Sequence, residues 1–316
     1  MFKLYLFFIS LCCATYPAQN SNLYGKWILE EIKYSDGKEL EVNHPFYSTS
    51  HLIYIMSQSL FVNNHTEKAK YENTTINAGP FSYKYEFQGN YLILEPNNDN
   101  TKYYYLKESD FLNKYPEFNP QIVETEGLNV YSSHELFAPI IINWPDFQTK
   151  VILALWERKD YKPYIFDVNF VIDEDSKLEH YFFTNSSLDK TQENFIRSLV
   201  SNNGLSFINT SEKKMITTRS FNFNHRNASS SQKVGRKEME LAEWYRENKF
   251  DKLIREIPRL EESGFFKDST HGNHRFVKLG VAYLAKNQIT EACVAFRKKG
   301  DLKDFSVRKY LINFCN

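Results

Sequence analysis

The chain has 316 residues, and its 39 Lys and Arg balance its 39 Asp and Glu. That length suits two or three ordinary domains, and a neutral chain without a long basic run argues against a nucleic-acid binder. Eleven glycines, with neither G-x-G-x-x-G nor G-x-x-x-x-G-K-[ST], argue against a phosphate-cradling loop. Aromatic residues make up 16%, many of them in alternating stretches that favour β-structure.

The N-terminus reads as a secretory signal. Lys3 supplies the positive charge, and residues 4–13 form an apolar run too short to span a bilayer of roughly 30 Å. Cleavage is expected after Ala18, with Ala14 as the alternative, so 1–18 is the signal peptide. No second long apolar run follows, and the mature chain is expected to carry no transmembrane helix. Cleavage removes Cys12 and Cys13 and leaves Cys293 and Cys315. An exported chain with two cysteines is expected to pair them.

Segment 22–107 reads as a β-domain. Trp27, Ile28 and Leu29 lead to Ile32 and Tyr34, and Asp36-Gly37 marks a tight turn after which Leu40 and Val42 resume the run. Phe81, Tyr83, Tyr85 and Phe87 alternate strictly with polar residues, and Gln88-Gly89-Asn90 turns the chain into 91–94. A further strand is expected at 103–106. This is an antiparallel meander, closing either as a small barrel or as a sandwich. Gly25 and Trp27 open it as G-x-W, which resembles the start of a lipocalin-like barrel, where the Trp plugs one end. The resemblance implies a cavity for a small apolar ligand; an interior filled by its own Phe and Tyr is the alternative.

Residues 108–132, with Pro116 and Pro120, read as a connector with little regular structure. In segment 133–225, residues 136–142 suggest a short strand or turn, and 151–157 either a strand or a helix. Phe166, Val168, Phe170 and Ile172 alternate on one face, and Asp173-Glu174-Asp175-Ser176 forms a polar turn before a return strand at 178–184. Asp189 starts an amphipathic helix whose apolar face is Phe195, Ile196, Leu199 and Val200, and a third strand follows at 217–223. The order is ββαβ. The hairpin residues Val168, Phe170, Ile172, Asp173 and Asp175, with Leu188-Asp189, resemble the C-terminal domain of TonB; Ser176 stands where that motif has Gly. The resemblance implies a non-catalytic domain that binds outer-membrane proteins by adding a strand edge. The membrane anchor and Pro-rich spacer of a complete TonB are missing, which argues against energy transduction.

Residues 226–236, with Ser229-Ser230-Ser231, read as a linker, and 237–316 as helical. Leu241, Ala242, Tyr245, Leu253, Ile254 and Ile257 recur on one face. Phe276, Leu279, Gly280 and Tyr283 share a face of one helix, and Ala292 and Phe296 lie on the next, with Gly280 allowing the two helices to approach. This spacing resembles a tetratricopeptide repeat, which implies protein binding.

No catalytic signature stands out. His134-Glu135 is not followed by a second His, since Ala138 occupies that position, and His271 and His274 have no further ligands beside them. Lys177 sits where a calcium loop would need a ligand after Asp173 and Asp175. The Asn-x-Ser/Thr triplets at Asn64, Asn73, Asn185, Asn209 and Asn227 read as chance in a bacterial envelope protein. The sequence thus predicts an α+β multidomain protein without metal or cofactor, exported to the periplasm or cell surface of a Gram-negative bacterium. Its expected work is to bind another envelope protein, with an outer-membrane protein among the candidates. The alternatives are a carrier of a small apolar ligand in the barrel and a hydrolase of unrecognised type.

Overall fold

The computed structural model describes residues 21–315 except 42–43, 45–50, 63–64, 98, 135, 157–163, 203, 224–227 and 267–272. The signal segment with Lys3 and Ala18, and Val42, Asn64, Asn227 and His271, lie outside the described residues.

The N-terminal meander closes into a barrel of eight antiparallel strands, consistent with a lipocalin-like barrel. They are β1 Gly25–Tyr34, β2 Ile53–Met56, β3 Ser59–Val62, β4 His65–Tyr71, β5 Thr75–Ala78, β6 Phe81–Gln88, β7 Tyr91–Pro96 and β8 Thr101–Lys107. β1 returns along β8 from Trp27↔Lys107 to Tyr34↔Thr101, so the barrel has no open edge. Alternation sends Trp27, Leu29, Ile32, Tyr83, Tyr85, Leu92, Leu94, Tyr103 and Tyr105 into one interior core. A β-bulge between Leu29 and Glu31 keeps Leu29 and Ile32 inside, leaving Glu30 and Glu31 outside. The Asp36-Gly37 turn does not open a hairpin of two full strands. Gly37 adopts φ 86°, but the returning chain makes one bridge, Lys33↔Glu39, before Leu40 enters the core.

Segment 108–132 is not irregular. It holds α1 Glu108–Lys114, a 3₁₀ turn at Pro116–Phe118, and the strands β9 Gln121–Thr125 and β10 Leu128–Ser132. Glu126 and Gly127 both take positive φ (47° and 72°), the two-residue turn that matches the twist of a hairpin. This hairpin joins a five-stranded sheet of order β13-β12-β15-β10-β9, with β12 Tyr164–Ile172, β13 Leu178–Thr184 and β15 Met215–Phe223. Two helices, α2 Trp144–Trp156 and α3 Lys190–Asn202, bury Phe147, Val151, Ile196 and Val200 against Phe166, Val168, Phe170 and Ile172. The segment at 151–157 that was open to either reading therefore falls in a helix up to Trp156. Within 136–142, β11 Ile140–Ile141 pairs β14 Phe207–Ile208. In the β12–β13 turn, Ser176 has φ 68°, a conformation that favours Gly, and its Oγ accepts from Asn209 N at 2.9 Å. That bond gives serine a use at a position where glycine would be less strained.

The rest is helical: α4 Ala228–Arg246, α5 Phe250–Glu262, α6 His274–Ala285, α7 Ile289–Lys299 and α8 Phe305–Phe314. The expected linker at 226–236 is overturned, because α4 already runs through 228–236. Val234 and Leu241, both buried in the helical core, extend the apolar face backwards. The turns after α4 and α6 match. Asn248 and Asn287, 39 positions apart, have φ 57° and 58°, and Lys249 N and Gln288 N each donate to the carbonyl five residues back, at 2.8 and 2.9 Å. The same offset aligns buried Leu241 with Gly280, Leu253 with Ala292 and Ile257 with Phe296. The chain thus carries two related helical hairpins.

At Gly280 a Cβ would lie 2.3 Å from Cε1 of Phe296, whose ring is fully buried and stacked on Tyr310 at 4.6 Å. Gly280→Ala is expected to cost about 1–2 kcal/mol net, because overpacking outweighs the better helix propensity of alanine. Urea unfolding checks this; a variant as stable as the parent would mean that Phe296 can swing aside.

Candidate functional site

Besides the outer edges of the terminal strands β9 and β13, the described residues leave a further stretch of backbone open, on β15. β12 pairs β15 along its length, from Tyr164↔Phe223 to Ile172↔Met215. On the other side β10 meets β15 at one position, Tyr131↔Met215, where Tyr131 N donates to Lys214 O at 2.8 Å. Beyond it, no strand among the described residues pairs the outer edge of 217–223. The third strand read at 217–223 falls within β15, Met215–Phe223. It stands between β12 and β10 in strand order, yet β10 pairs it at one position, and no described strand covers that side beyond it.

Three bonds fix which backbone groups face outward. Lys214 O points to β10. Ile165, opposite Asn222, turns its O to Ser187 N and its N to Ser187 Oγ, away from β15. Backbone groups alternate along a strand, so Thr218, Ser220 and Asn222 point N–H and C=O outward, whereas Thr217, Arg219 and Phe221 bond β12. All three outward residues have exposed side chains. The Thr218 carbonyl accepts from Nη1 of Arg219 at 3.2 Å.

Buried aromatic residues line the barrel interior. Trp27 is 2% exposed and donates from Nε1 to Leu23 O at 2.8 Å. Tyr54 and Tyr83 share a 2.7 Å hydroxyl contact, and Tyr105 donates to His51 O. Burial, with neighbouring phenols, pushes Tyr54 and Tyr105 well above the ordinary tyrosine value, so both remain neutral hydrogen-bonding groups.

Polar residues that the sequence reading passed over tie the units together. Lys26, on the outer wall of β1, is 4% exposed and lies 2.7 Å from Glu108, whose second oxygen accepts from Thr210 of the sheet domain at 2.7 Å. Burial, opposed by Glu108, lowers the Lys26 pKa. Nearby, Glu30 accepts from Tyr91 and Tyr115 and pairs with Lys114 at 2.6 Å. Burial disfavours its charge, but these partners outweigh burial and hold its carboxyl below the usual range. The one sequence signal for this node is Glu30-Glu31, which interrupts the alternation of β1.

His134 accepts from Leu136 N through Nδ1 at 3.3 Å, and His274 lies at the start of α6. Asp173 turns its carboxylate to Lys177 N, and Asp175 pairs Lys177, so both carboxylates serve the hairpin turn. Phe276, Leu279, Tyr283, Ala292 and Phe296 all lie in the packed α6–α7 hairpin. Cys293 on α7 and Cys315 after α8 stand at disulfide distance, with Cα atoms 5.5 Å apart, inside the roughly 7 Å that a bond requires. Compared with protein-family profiles, curated proteins and solved structures, the chain matches none.

Cys315→Ser is expected to lower stability by about 2–4 kcal/mol in oxidised protein and to change nothing once a dithiol reductant is present. Denaturant unfolding with and without the reductant reads both; equal stability of parent and variant in oxidising buffer would refute the pairing.

Proposed function

We propose that this is an exported, non-catalytic protein of a Gram-negative cell envelope that binds an extended segment of another envelope protein along β15. The open edge of 217–223 carries the reading, since Thr218, Ser220 and Asn222 offer outward backbone donors and acceptors to an added strand. The ββαβ order and the Val168–Phe170–Ile172 face support the TonB C-terminal-like reading of this domain. The two helical hairpins support a tetratricopeptide-like cap, and the Cys293–Cys315 pair suits an oxidising compartment. The buried Trp27 and tyrosines of the barrel interior, with hydroxyls bonded to each other and to His51 O, favour the strand-edge reading over an apolar-ligand carrier.

The test uses proline as a backbone probe. Ser220→Pro removes an outward N–H and is expected to leave stability within about 1 kcal/mol while abolishing capture of the partner. Arg219→Pro removes a bond to β12 and is expected to destabilise by about 2 kcal/mol or more. Pulldown from an envelope extract with parent and Ser220→Pro, followed by amide exchange of 217–223 in the recovered complex, gives the answer. Protection at Thr218, Ser220 and Asn222 is expected. A partner that binds Ser220→Pro as well as the parent, or leaves those amides unprotected, would overturn the reading.

A further inference from the structure

The outer wall of the barrel bears an open cleft of about 760 Å³, within the roughly 300–1,000 Å³ of small-molecule sites. It runs between the β6–β7 turn, β8 and α1. The half-exposed rings of Tyr91 and Tyr104 line it, nearly perpendicular, with centroids 6.0 Å apart. Gln88 and Asn90 border it on the turn, Asp110 and Asn113 on α1.

Two features separate this cleft from ordinary polar surface. The first is that it is braced from beneath. Glu30, freed from the barrel interior by the bulge, accepts from Tyr91 Oη at 2.6 Å and pairs with Lys114 at 2.6 Å, and Lys114 also donates to Tyr91 Oη at 3.2 Å. Aromatic wall and helical wall are therefore fixed relative to each other before any ligand arrives, which lowers the ordering cost of binding. The second is that Gln88, Asn90, Asp110 and Asn113 spend none of their side-chain hydrogen-bonding groups on described residues, while Glu30 just below uses both its oxygens and Lys114 two of its three donors.

We infer that this cleft binds a neutral oligosaccharide. Pyranose rings offer a C–H face that suits the negative face of an aromatic ring, and vicinal hydroxyls that both give and take hydrogen bonds. Amide side chains supply a donor and an acceptor side by side, which matches vicinal hydroxyls and serves an apolar ligand poorly. An anionic ligand is disfavoured by the charge. Asp110 borders the cleft with no ion-pair partner among the described residues, whereas Glu31 is paired with Lys33 at 3.1 Å and the cleft's cation, Lys114, with Glu30 at 2.6 Å. The cleft is open rather than enclosed, which suits part of a longer chain better than a single buried sugar. This site lies on the barrel and is independent of the β15 edge.

The test titrates the full chain with cellohexaose, maltohexaose, mannohexaose and hexa-N-acetylchitohexaose, and with hexagalacturonate as the acidic counterpart, by calorimetry. At least one neutral hexasaccharide is expected to bind with a Kd of about 0.1–1 mM. Tyr104→Ala is expected to weaken it about tenfold, and Asn113→Ala several-fold, with unchanged unfolding midpoints. Asn113→Ala and Gln88→Ala change exposed positions and keep the test open if Tyr104→Ala does not fold. Failure of every neutral sugar to bind, equal binding of hexagalacturonate, or wild-type affinity in the folded variants would overturn the inference.

Discussion

Segment 108–118 is the piece on which the three units pack, and the fold depends on its burial. Phe111 and Phe118 are each 1% exposed, and they share a core with Ile28, Ile53 and Leu106 of the barrel's outer wall, with Leu136 and Phe137, and with Phe305 at the start of α8. Phe305 lies 5.7 Å from Phe111 and 5.4 Å from Phe118, ring to ring. Around this core run two charged links. Lys26–Glu108–Thr210 connects barrel to sheet, and Arg308–Glu117 at 3.0 Å connects the last helix to the 3₁₀ turn. A buried pair such as Lys26–Glu108 is weak evidence of net stabilisation against an apolar alternative, but losing one partner strands a charge at about 3–5 kcal/mol. Its contribution is therefore to fix which surfaces meet. The disulfide-distance cysteines act on the same helix from the other end, so α8 is held by Phe305 at its start and by Cys315 at its finish.

What the sequence made legible were segments whose burial follows a local period. Phe81 to Phe87 alternates, and its strand lies where expected; the Val168, Phe170 and Ile172 stripe faces two helices; and Gly280 lies under the ring of Phe296. Three things were not legible. Closure of the barrel requires β4, His65–Tyr71, whose polar sequence carries little strand signal alone and is defined by its pairing with β3 and β5. The hairpin of β9 and β10 sits in a segment that prolines marked as loop, and β10 enters the sheet beside β15, far away in sequence. The serine run in the first turn of α4 reads as a linker because its composition hides a helix set by tertiary contacts at Val234 and Leu241. Of the candidate sites, the open stretch of β15 was visible as a terminal strand. The one-position pairing of β10 with β15 and the Glu30 bulge depend on register, which no single segment encodes.

The architecture divides its labour by how each unit handles backbone hydrogen bonds. The barrel satisfies its own by closure, and the helical hairpins do so locally, so the sheet domain is where outward-facing strand groups remain. The barrel instead offers side-chain chemistry on its outer wall, beside the same α1 that anchors the junction. Because α1 belongs to both, the geometry of the cleft and the seating of the last helix are properties of one packed element.

Hydrogen exchange of Phe111→Ala in the full chain tests this dependence most directly. The account predicts that protection falls together in 108–118, 134–138 and 305–314, segments distant in sequence, while β6 and β7 keep theirs through the interior core. Loss confined to 108–118, with 305–314 as protected as in the parent, would contradict it.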